Sequence, residues 1–133
     1  MRVTIADDEP LARMRLAALL RECGDVELVA SVGDGEAALA ALATTPADVL
    51  LLDINMPGLD GLDLAQRLAG QARPQVVFCT AYENHALRAF ELAAVDYLLK
   101  PVRLERLREA LQRARQRLAE APHAPTVWLY ARV

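Results

Sequence analysis

The sequence predicts an α/β fold, a doubly wound parallel sheet of five strands with helices on both faces. Five short apolar runs alternate with helical patterns, and no long linker or internal repeat interrupts them. With 133 residues, of which 54% are hydrophobic, the chain has the size and composition of one globular domain. Right-handed crossovers between successive strands then make the sheet parallel and cover both of its faces with helices.

The first strand is predicted at Arg2–Ala6, which is mostly apolar. Pro10 suits the first turn of a helix because its missing N–H has no partner to lose there. An apolar stripe carries this helix to about Cys23. Gly24 is suited to the C-terminal cap of the helix, and a second strand follows at Val26–Val32.

The middle of the chain repeats this alternation. Asp34 is suited to cap a helix that runs to about Ala43. Asp48–Leu52 is predicted as a third strand, and its nearly continuous apolar run is typical of a central strand covered on both faces. The loop that follows, residues 53–61, contains Pro-Gly and Asp-Gly pairs that favour turns. A helix is then expected to end near Leu68.

The last part of the predicted sheet comes from two more strands, at Gln75–Cys79 and Val95–Leu98. A short helix near Asn84–Leu92 lies between them, and a long amphipathic helix spans roughly Leu104–Glu120.

The composition changes after this last helix. We expect residues 1–120 to form the domain and residues 121–133 to be a linker or tail. Ala-Pro-His-Ala-Pro is typical of a linker, and the short strand-like piece Thr126–Val133 can begin another domain.

The net charge of −3 is unevenly distributed, because residues 101–133 carry 7 arginines and only 3 acidic residues. This excess permits a nucleic-acid-binding arm, but a solvated helix face explains it better, since the arginines alternate with acids in pairs such as Glu109–Arg113. Direct binding to nucleic acid is therefore not expected.

Two further features bear on the compartment. No run approaches the ~20 apolar residues of a membrane helix, so no membrane association is expected. Cys23 and Cys79 both lie in apolar surroundings, which favours two reduced thiols in a cytosolic protein over a disulfide.

Polar side chains stand where four of the apolar runs end: Asp7 and Asp8, Asp53, Thr80, and Lys100. The carboxyl ends of parallel strands share one edge of the sheet, and this edge is where open α/β sheets bind ligands. Lys100 is the only lysine among 15 basic side chains. In so arginine-rich a chain, a single lysine indicates a position that needs a compact ammonium group.

Carboxylates gathered at one edge repel each other, by about 4 kcal/mol per pair at 4 Å in an effective dielectric near 20. Lys100 supplies one positive charge, and Mg²⁺ suits the remainder because it accepts carboxylate, carbonyl and phosphate oxygens. The backbone carbonyl of Asn55 can complete its shell, and the Thr80 hydroxyl can bind an anion. Such a set can place a phosphoryl group on an aspartate. Taken singly, the same residues also suit a helix cap, a loop, a strand end and a turn.

Four motifs together resemble the receiver domain of two-component response regulators: Asp7-Asp8-Glu9-Pro10, Leu51 to Gly61, Cys79-Thr80-Ala81, and Asp96 to Pro101. The resemblance covers residues 1–120. Within the family the sequence is most similar to the receivers of LytTR-type regulators, through residues 78–81 and 97–102.

The resemblance implies a flavodoxin-like (βα)5 fold and a role for each motif residue. Asp53 is implied as the phosphoacceptor, Thr80 and Lys100 as ligands of the phosphoryl oxygens, and Thr80 with Tyr97 as the switch. The implied Mg²⁺ ligands are Asp7, Asp8, Asp53 and the Asn55 carbonyl. The Lys100–Pro101 peptide bond is expected to be cis.

The implied function is a cytoplasmic phosphorylation switch, not an enzyme. A sensor histidine kinase donates the phosphoryl group, and the switched surface controls a transcriptional effector domain, through which alone DNA is contacted. Phosphorylation is expected to promote a homodimer, in which the arginines near 106–115 pair with Asp96 or Glu91 of a second subunit.

Two other functions remain open. One is a Mg²⁺-dependent phosphohydrolase of the haloacid-dehalogenase type, although that class carries its nucleophile in an Asp-x-Asp after the first strand. The other is a stand-alone interaction module whose Asp53 is never phosphorylated in the cell.

Overall fold

The computed structural model describes residues 1–120, in which five strands alternate with five helices. The strands are β1 (Arg2–Ala6), β2 (Glu27–Val32), β3 (Val49–Leu52), β4 (Gln75–Thr80) and β5 (Asp96–Leu99). The helices are α1 (Pro10–Arg21), α2 (Gly35–Thr44), α3 (Gly61–Leu68), α4 (Ala86–Glu91) and α5 (Leu104–Glu120). The strand-like piece predicted at Thr126–Val133 lies outside the described residues.

All strand pairs are parallel, and the strand order is β2-β1-β3-β4-β5. The chain first adds β2 on one side of β1 and then crosses to build β3, β4 and β5 on the other side. The predicted doubly wound parallel fold is therefore confirmed. The change of direction lies between β1 and β3, and ligands of open α/β sheets bind outside the carboxyl ends of the strands at such a point.

Alternate strand residues feed two apolar layers, one on each face of the sheet. On one face, Ile5 and Leu51 pack with Leu16 of α1 and Leu107 of α5. On the other face, strand residues such as Leu50 and Phe78 pack against α2, α3 and α4. All four residues of β3 are completely buried, as predicted for a central strand. Within residues 1–120, no helix has both the length and the apolar character needed to cross a bilayer.

Helix α1 ends at Arg21 rather than near Cys23, because the last turn tightens. The backbone N–H groups of Glu22 and Cys23 donate to the carbonyls of Leu19 and Leu20, three residues earlier. Cys23 is consequently only half-buried, whereas Cys79 is buried, and both thiols are free.

The predicted Glu109–Arg113 pair on α5 is wrong. Glu109 instead pairs with Arg106 at 2.9 Å, and Arg113 reaches Asp96 at the start of β5 at 2.5 Å. Arg106 also pairs with Asp96, at 3.1 Å. The arginine-rich face of α5 is thus partly used to tie this helix to the edge of the sheet, a long-range pairing that helical spacing does not reveal.

Candidate functional site

The ends of β1 and β3 place two aspartates side by side. Ala6 and Leu52 are partners in the register of these strands, so Asp7 and Asp53 are the first residues beyond them. The Asp53 N–H donates to the Ala6 carbonyl at 2.9 Å. Both side chains are almost fully buried, with exposures of 1% for Asp7 and 5% for Asp53.

Lys100 reaches these aspartates from the end of β5. Its backbone N–H donates to the Thr80 carbonyl at 2.8 Å, which fixes where the side chain starts. The ammonium nitrogen lies 2.8 Å from Asp7 Oδ2 and 3.3 Å from Asp53 Oδ2. It also lies 3.4 Å from Oε1 of the exposed Glu9. The Lys100–Pro101 peptide bond is cis, as expected.

The pKa values of Asp53 and Lys100 follow from this arrangement. Burial raises the pKa of Asp53, and although the charge of Lys100 works in the opposite direction, the nearby Asp7 adds to the rise. Burial alone would lower the pKa of Lys100, but its close pairing with the carboxylate of Asp7 and the charges of both aspartates outweigh burial and raise that pKa. The single positive charge of Lys100 therefore cannot neutralise all of the carboxylates around it.

The carboxylates of Asp7, Asp8 and Asp53 form a cluster that fits a divalent cation. One carboxylate oxygen from each lies within 4.8 Å of the others. Asp8 is exposed, which leaves the cluster open on one side to water or a phosphate oxygen. Oxygen-only donors with an open side are what Mg²⁺ prefers, since it retains several waters.

The loop after β3 holds Asp53 in place. The Ile54 N–H donates to Asp53 Oδ1 at 2.8 Å, and the Gly61 N–H donates to the Ile54 carbonyl at 2.8 Å. A Cβ atom at Gly61 would overlap the Asp53 carbonyl oxygen. The glycine at the start of α3 thus lets the helix approach the back of the aspartate. Asn55 lies in this loop, and its side-chain amide donates to the Tyr82 hydroxyl at 3.1 Å.

Thr80 and Tyr97 meet at the loop between β4 and α4. Thr80 is completely buried, and its hydroxyl accepts the Tyr82 N–H at 3.3 Å. Tyr97 is half-buried, its ring centroid lies 6.2 Å from that of Phe78, and its hydroxyl donates to the Tyr82 carbonyl. Tyr97 is therefore both a packing residue and a contact of this loop.

Tyr82 is the residue that sequence analysis missed. It contacts Asn55, Thr80 and Tyr97, so it connects the loop after Asp53 with both predicted switch residues. Nearly half of its surface is exposed. Its position could have drawn attention to it, because an aromatic side chain two residues after Thr80 is unusual in an otherwise polar loop.

The structure thus brings Asp7, Asp8, Asp53 and Lys100 together directly. Thr80 is joined to Lys100 by a backbone hydrogen bond, and Tyr97 contacts the loop that follows Thr80. The metal, phosphoryl and switching roles of these residues, including that of the Asn55 carbonyl, stay predictions at this point.

Comparison with known proteins gives a consistent family. The family model described as "Response regulator receiver domain" matches residues 3–112. The positive alginate biosynthesis regulatory protein of Pseudomonas aeruginosa is 53% identical over 116 residues, which cover 86% of this chain and 47% of that protein. The transcriptional regulatory protein BtsR of Escherichia coli is 43% identical over 116 residues, covering 87% of this chain and 48% of that protein. The chain therefore spans about half the length of these curated relatives.

A solved structure agrees with the sequence matches. The response regulatory domain of protein mrkE from Klebsiella pneumoniae superposes with a TM-score of 0.82 and 40% identity, covering 91% of this chain and all of that one.

Proposed function

The chain belongs to the response regulator receiver family, and from this premise we propose that it accepts a phosphoryl group on Asp53 from the phosphohistidine of a sensor histidine kinase. The observation that carries the proposal is the position of the Asp53 carboxylate. It lies 3.3 Å from the Lys100 ammonium group, inside the cluster of three carboxylates at the edge of the sheet. Receiver domains of this family are generally not enzymes, and we propose that this one acts as a cytoplasmic switch.

In the transfer, a carboxylate oxygen of Asp53 forms a bond to phosphorus as the phosphorus–nitrogen bond of the phosphohistidine breaks. The imidazole of the kinase leaves with the electron pair. The developing charge lies on the phosphoryl oxygens. We propose that Lys100, whose ammonium nitrogen lies 3.3 Å from the Asp53 carboxylate, and the hydroxyl of Thr80 bind those oxygens.

We propose that Mg²⁺ is held by the side chains of Asp7, Asp8 and Asp53, with the Asn55 carbonyl as a further ligand. The fit rests on the three clustered carboxylates, which Lys100 alone does not balance. When bound, the ion neutralises the carboxylates and binds a phosphoryl oxygen.

Mg²⁺ is expected to raise the thermal stability of the domain, because relief of carboxylate repulsion favours the folded state only. At a concentration ten times its Kd, the gain is about 1.4 kcal/mol, which corresponds to several degrees in Tm. Thermal unfolding with and without millimolar MgCl₂ measures this. Asp8→Asn should remove most of the shift, whereas Asp63→Asn, on the exposed side of α3, should leave it intact. An unshifted wild-type Tm at millimolar Mg²⁺ contradicts the site.

The phosphohydrolase alternative fits the sheet less well. Asp7 and Asp8 are adjacent, and Asp53 follows β3 instead of β1, so the Asp-x-Asp arrangement of that class is absent from the end of the first strand. Intact mass after incubation with acetyl phosphate and Mg²⁺ tests the proposal. One phosphoryl group per molecule that decays slowly supports the switch, and continuous turnover of a generic phosphate ester supports the enzyme. No labelling by acetyl phosphate or by any kinase supports the interaction module.

We propose that the signal leaves through the surface formed by α4, β5 and α5. Thr80 is expected to move toward the phosphoryl oxygens and to shift the Tyr82–Tyr97 contact, which favours one of two packings of this surface. Leu87 and Phe90 on α4 are 73% and 79% exposed, and such apolar side chains suit a homodimer interface.

The charged contacts of the expected dimer compete with contacts inside one chain. The arginines of α5 were expected to pair with Asp96 or Glu91 of a second subunit. In the structure, however, Asp96 already pairs with Arg106 and Arg113 of its own chain, and Glu91 pairs with Arg88. Intersubunit pairs would therefore have to replace existing ones, so we propose that the apolar side chains of α4 provide the main contact.

The output is proposed to be transcriptional. Curated relatives include proteins named as regulators of transcription and of alginate biosynthesis, about twice as long as this chain. We propose that residues 1–120 are the receiver domain, that residues 121–133 are a linker or tail, and that DNA is contacted only through an effector domain.

The kinase is proposed to dock on a groove beside Lys100. The groove has a volume of about 540 Å³ and is lined on one side by Leu11 and Arg15 of α1 and on the other by Pro101 and Val102. Leu11 is 73% exposed, so its apolar side chain is available to a partner.

Leu11→Glu is expected to slow transfer from a phosphorylated histidine kinase about tenfold, because the loss of an apolar contact worth about 1.4 kcal/mol weakens binding by that factor. Labelling by acetyl phosphate should not change, since Leu11 lies outside the carboxylate cluster. Leu87→Glu is a matched control, because Leu87 is equally exposed but lies on α4. Equal loss with both phosphodonors in Leu11→Glu would mean that this residue serves the fold instead.

A further inference from the structure

We propose that Arg13 is a positioning residue for the metal site, which it serves by orienting the peptide between Asp7 and Asp8. This inference rests on the proposed Mg²⁺ site. Arg13 is half-buried in the first turns of α1, and its guanidinium Nη1 donates to the Asp7 carbonyl at 2.7 Å. The guanidinium reaches from α1 back to the residue that follows β1. It forms no ion pair with the carboxylate of Asp7 or with that of Asp8.

The N–H and Oδ1 of Asp7 are hydrogen-bonded, and its Oδ2 forms an ion pair with Lys100. Its N–H donates to the Val32 carbonyl at 3.0 Å, which continues the β1–β2 pairing by one residue. Its Oδ1 accepts the Glu9 N–H at 2.9 Å, and its Oδ2 faces Lys100 at 2.8 Å. The carbonyl is the remaining group, and it lies past the last strand residue, where the sheet offers no partner. Arg13 supplies that partner.

The hydrogen bond from Arg13 to the Asp7 carbonyl affects the position of the next residue, Asp8. Asp8 is exposed, and among the residues that the structure describes no cation pairs with its carboxylate. The backbone therefore sets where this side chain starts, and Arg13 holds the peptide plane that leads into it at the Asp7 carbonyl. Because Asp8 is one of the three clustered carboxylates, a rotation of this peptide would carry one ligand away from the other two.

Arg13 has a second effect of opposite sign, which makes the inference testable. A guanidinium is always charged, and a positive charge near the site disfavours a cation. If charge dominated, loss of Arg13 would tighten Mg²⁺ binding. If orientation dominates, as we infer, loss of Arg13 weakens it. Residues that orient metal ligands typically affect metal affinity by 10–100-fold, whereas the repulsion is screened by solvent and salt on this open side.

The experiment is a Mg²⁺ titration of the wild type, Arg13→Gln, Arg13→Lys and Arg21→Gln by calorimetry, with thermal unfolding in the absence of metal. Glutamine keeps the helix propensity of arginine but is too short to reach the Asp7 carbonyl. We expect Mg²⁺ binding to be about tenfold weaker in Arg13→Gln and intermediate in Arg13→Lys, which keeps one donor on a slightly shorter chain. Arg21→Gln, in the exposed last turn of α1, should match the wild type.

Phosphorylation by acetyl phosphate provides the second readout. Arg13→Gln should need more Mg²⁺ for half-maximal labelling but should reach the wild-type rate at saturation, a split that general destabilisation does not produce. Unchanged or tighter binding in a folded Arg13→Gln overturns the proposal. If Arg13→Gln does not fold, Arg13→Met decides, because it also removes the donor to the Asp7 carbonyl, and wild-type affinity in that variant overturns the proposal. Absence of Mg²⁺ binding in the wild type overturns the proposed metal site itself, and this inference with it.

Discussion

Asp53→Asn is expected to abolish phosphorylation completely and, in the absence of metal, to make the domain more stable. The first effect follows because an amide is not a nucleophile toward phosphorus. Glu9, 3.4 Å from the Lys100 ammonium group, lies outside the cluster of three carboxylates. Asp7 is also close to Lys100, at 2.8 Å, but it is buried. One of its carboxylate oxygens accepts the Glu9 N–H, and its own N–H donates to the Val32 carbonyl.

The second effect follows from the pKa of Asp53. Burial raises this pKa, and Asp7 adds to the rise. An acid whose pKa is higher in the folded state than in the unfolded state stabilises the fold when protonated, and this stability is lost as the pH rises through its folded pKa. At neutral pH the Asp53 carboxylate therefore opposes folding. Asparagine removes the charge with almost no change in shape, so Tm should rise.

Two measurements check this prediction, namely intact mass after incubation with acetyl phosphate and Mg²⁺, and thermal unfolding from mild acid to neutral pH. The stability difference between Asp53→Asn and the wild type should shrink as the pH falls and Asp53 becomes protonated. Asp25→Asn, an exposed substitution outside the site, should behave as the wild type in both. A fully labelled Asp53→Asn protein would place the phosphoacceptor elsewhere.

The sheet and the position of Asp53 were predictable from local patterns. Continuous apolar runs such as Val49–Leu52, separated by turn and capping residues, specify buried parallel strands, and Asp34 caps α2 as its sequence position suggests. Once the strands are parallel, the residues that follow them must meet at one edge. The convergence of Asp7, Asp53 and Lys100 is therefore a geometric result of strand order, although strand order itself depends on packing along the whole chain.

The contacts that sequence analysis missed are all long-range. Arg113 pairs with Asp96, not with Glu109, because the start of β5 places the Asp96 carboxylate next to the Arg113 guanidinium. Tyr82 joins Asn55 and Tyr97 across loops that are distant in sequence. Side-chain partners of this kind depend on distances of a few ångströms between elements, which neither periodicity nor turn propensity determines.

Lys100→Arg is expected to slow phosphorylation of Asp53 by a factor on the order of 100, even though it preserves the charge. The Lys100 ammonium nitrogen lies within 3.4 Å of carboxylates from Asp7, Glu9 and Asp53 at once. A planar guanidinium is larger and directs its hydrogens in a fixed fork, so it must displace either a carboxylate or the incoming phosphoryl group. A displacement of about 1 Å in a reacting group can cost 100-fold in rate.

Measurements of unfolding stability distinguish the effect of the Lys100 charge from the effect of its size and shape. The pairing with Asp7 and Asp53 raises the pKa of Lys100, so the charged lysine stabilises the fold at neutral pH, and this contribution is lost only as the pH rises through that elevated pKa. Lys100→Met should destabilise the metal-free domain by about 3 kcal/mol because it leaves the buried Asp7 without a charged partner, while Lys100→Arg should destabilise it much less. Labelling by acetyl phosphate with Mg²⁺ measures the rates, and Arg67→Lys, an exposed reverse exchange on α3, is the control. Wild-type labelling of Lys100→Arg would show that the site requires only a positive charge, and the single lysine of this arginine-rich chain would then need another explanation.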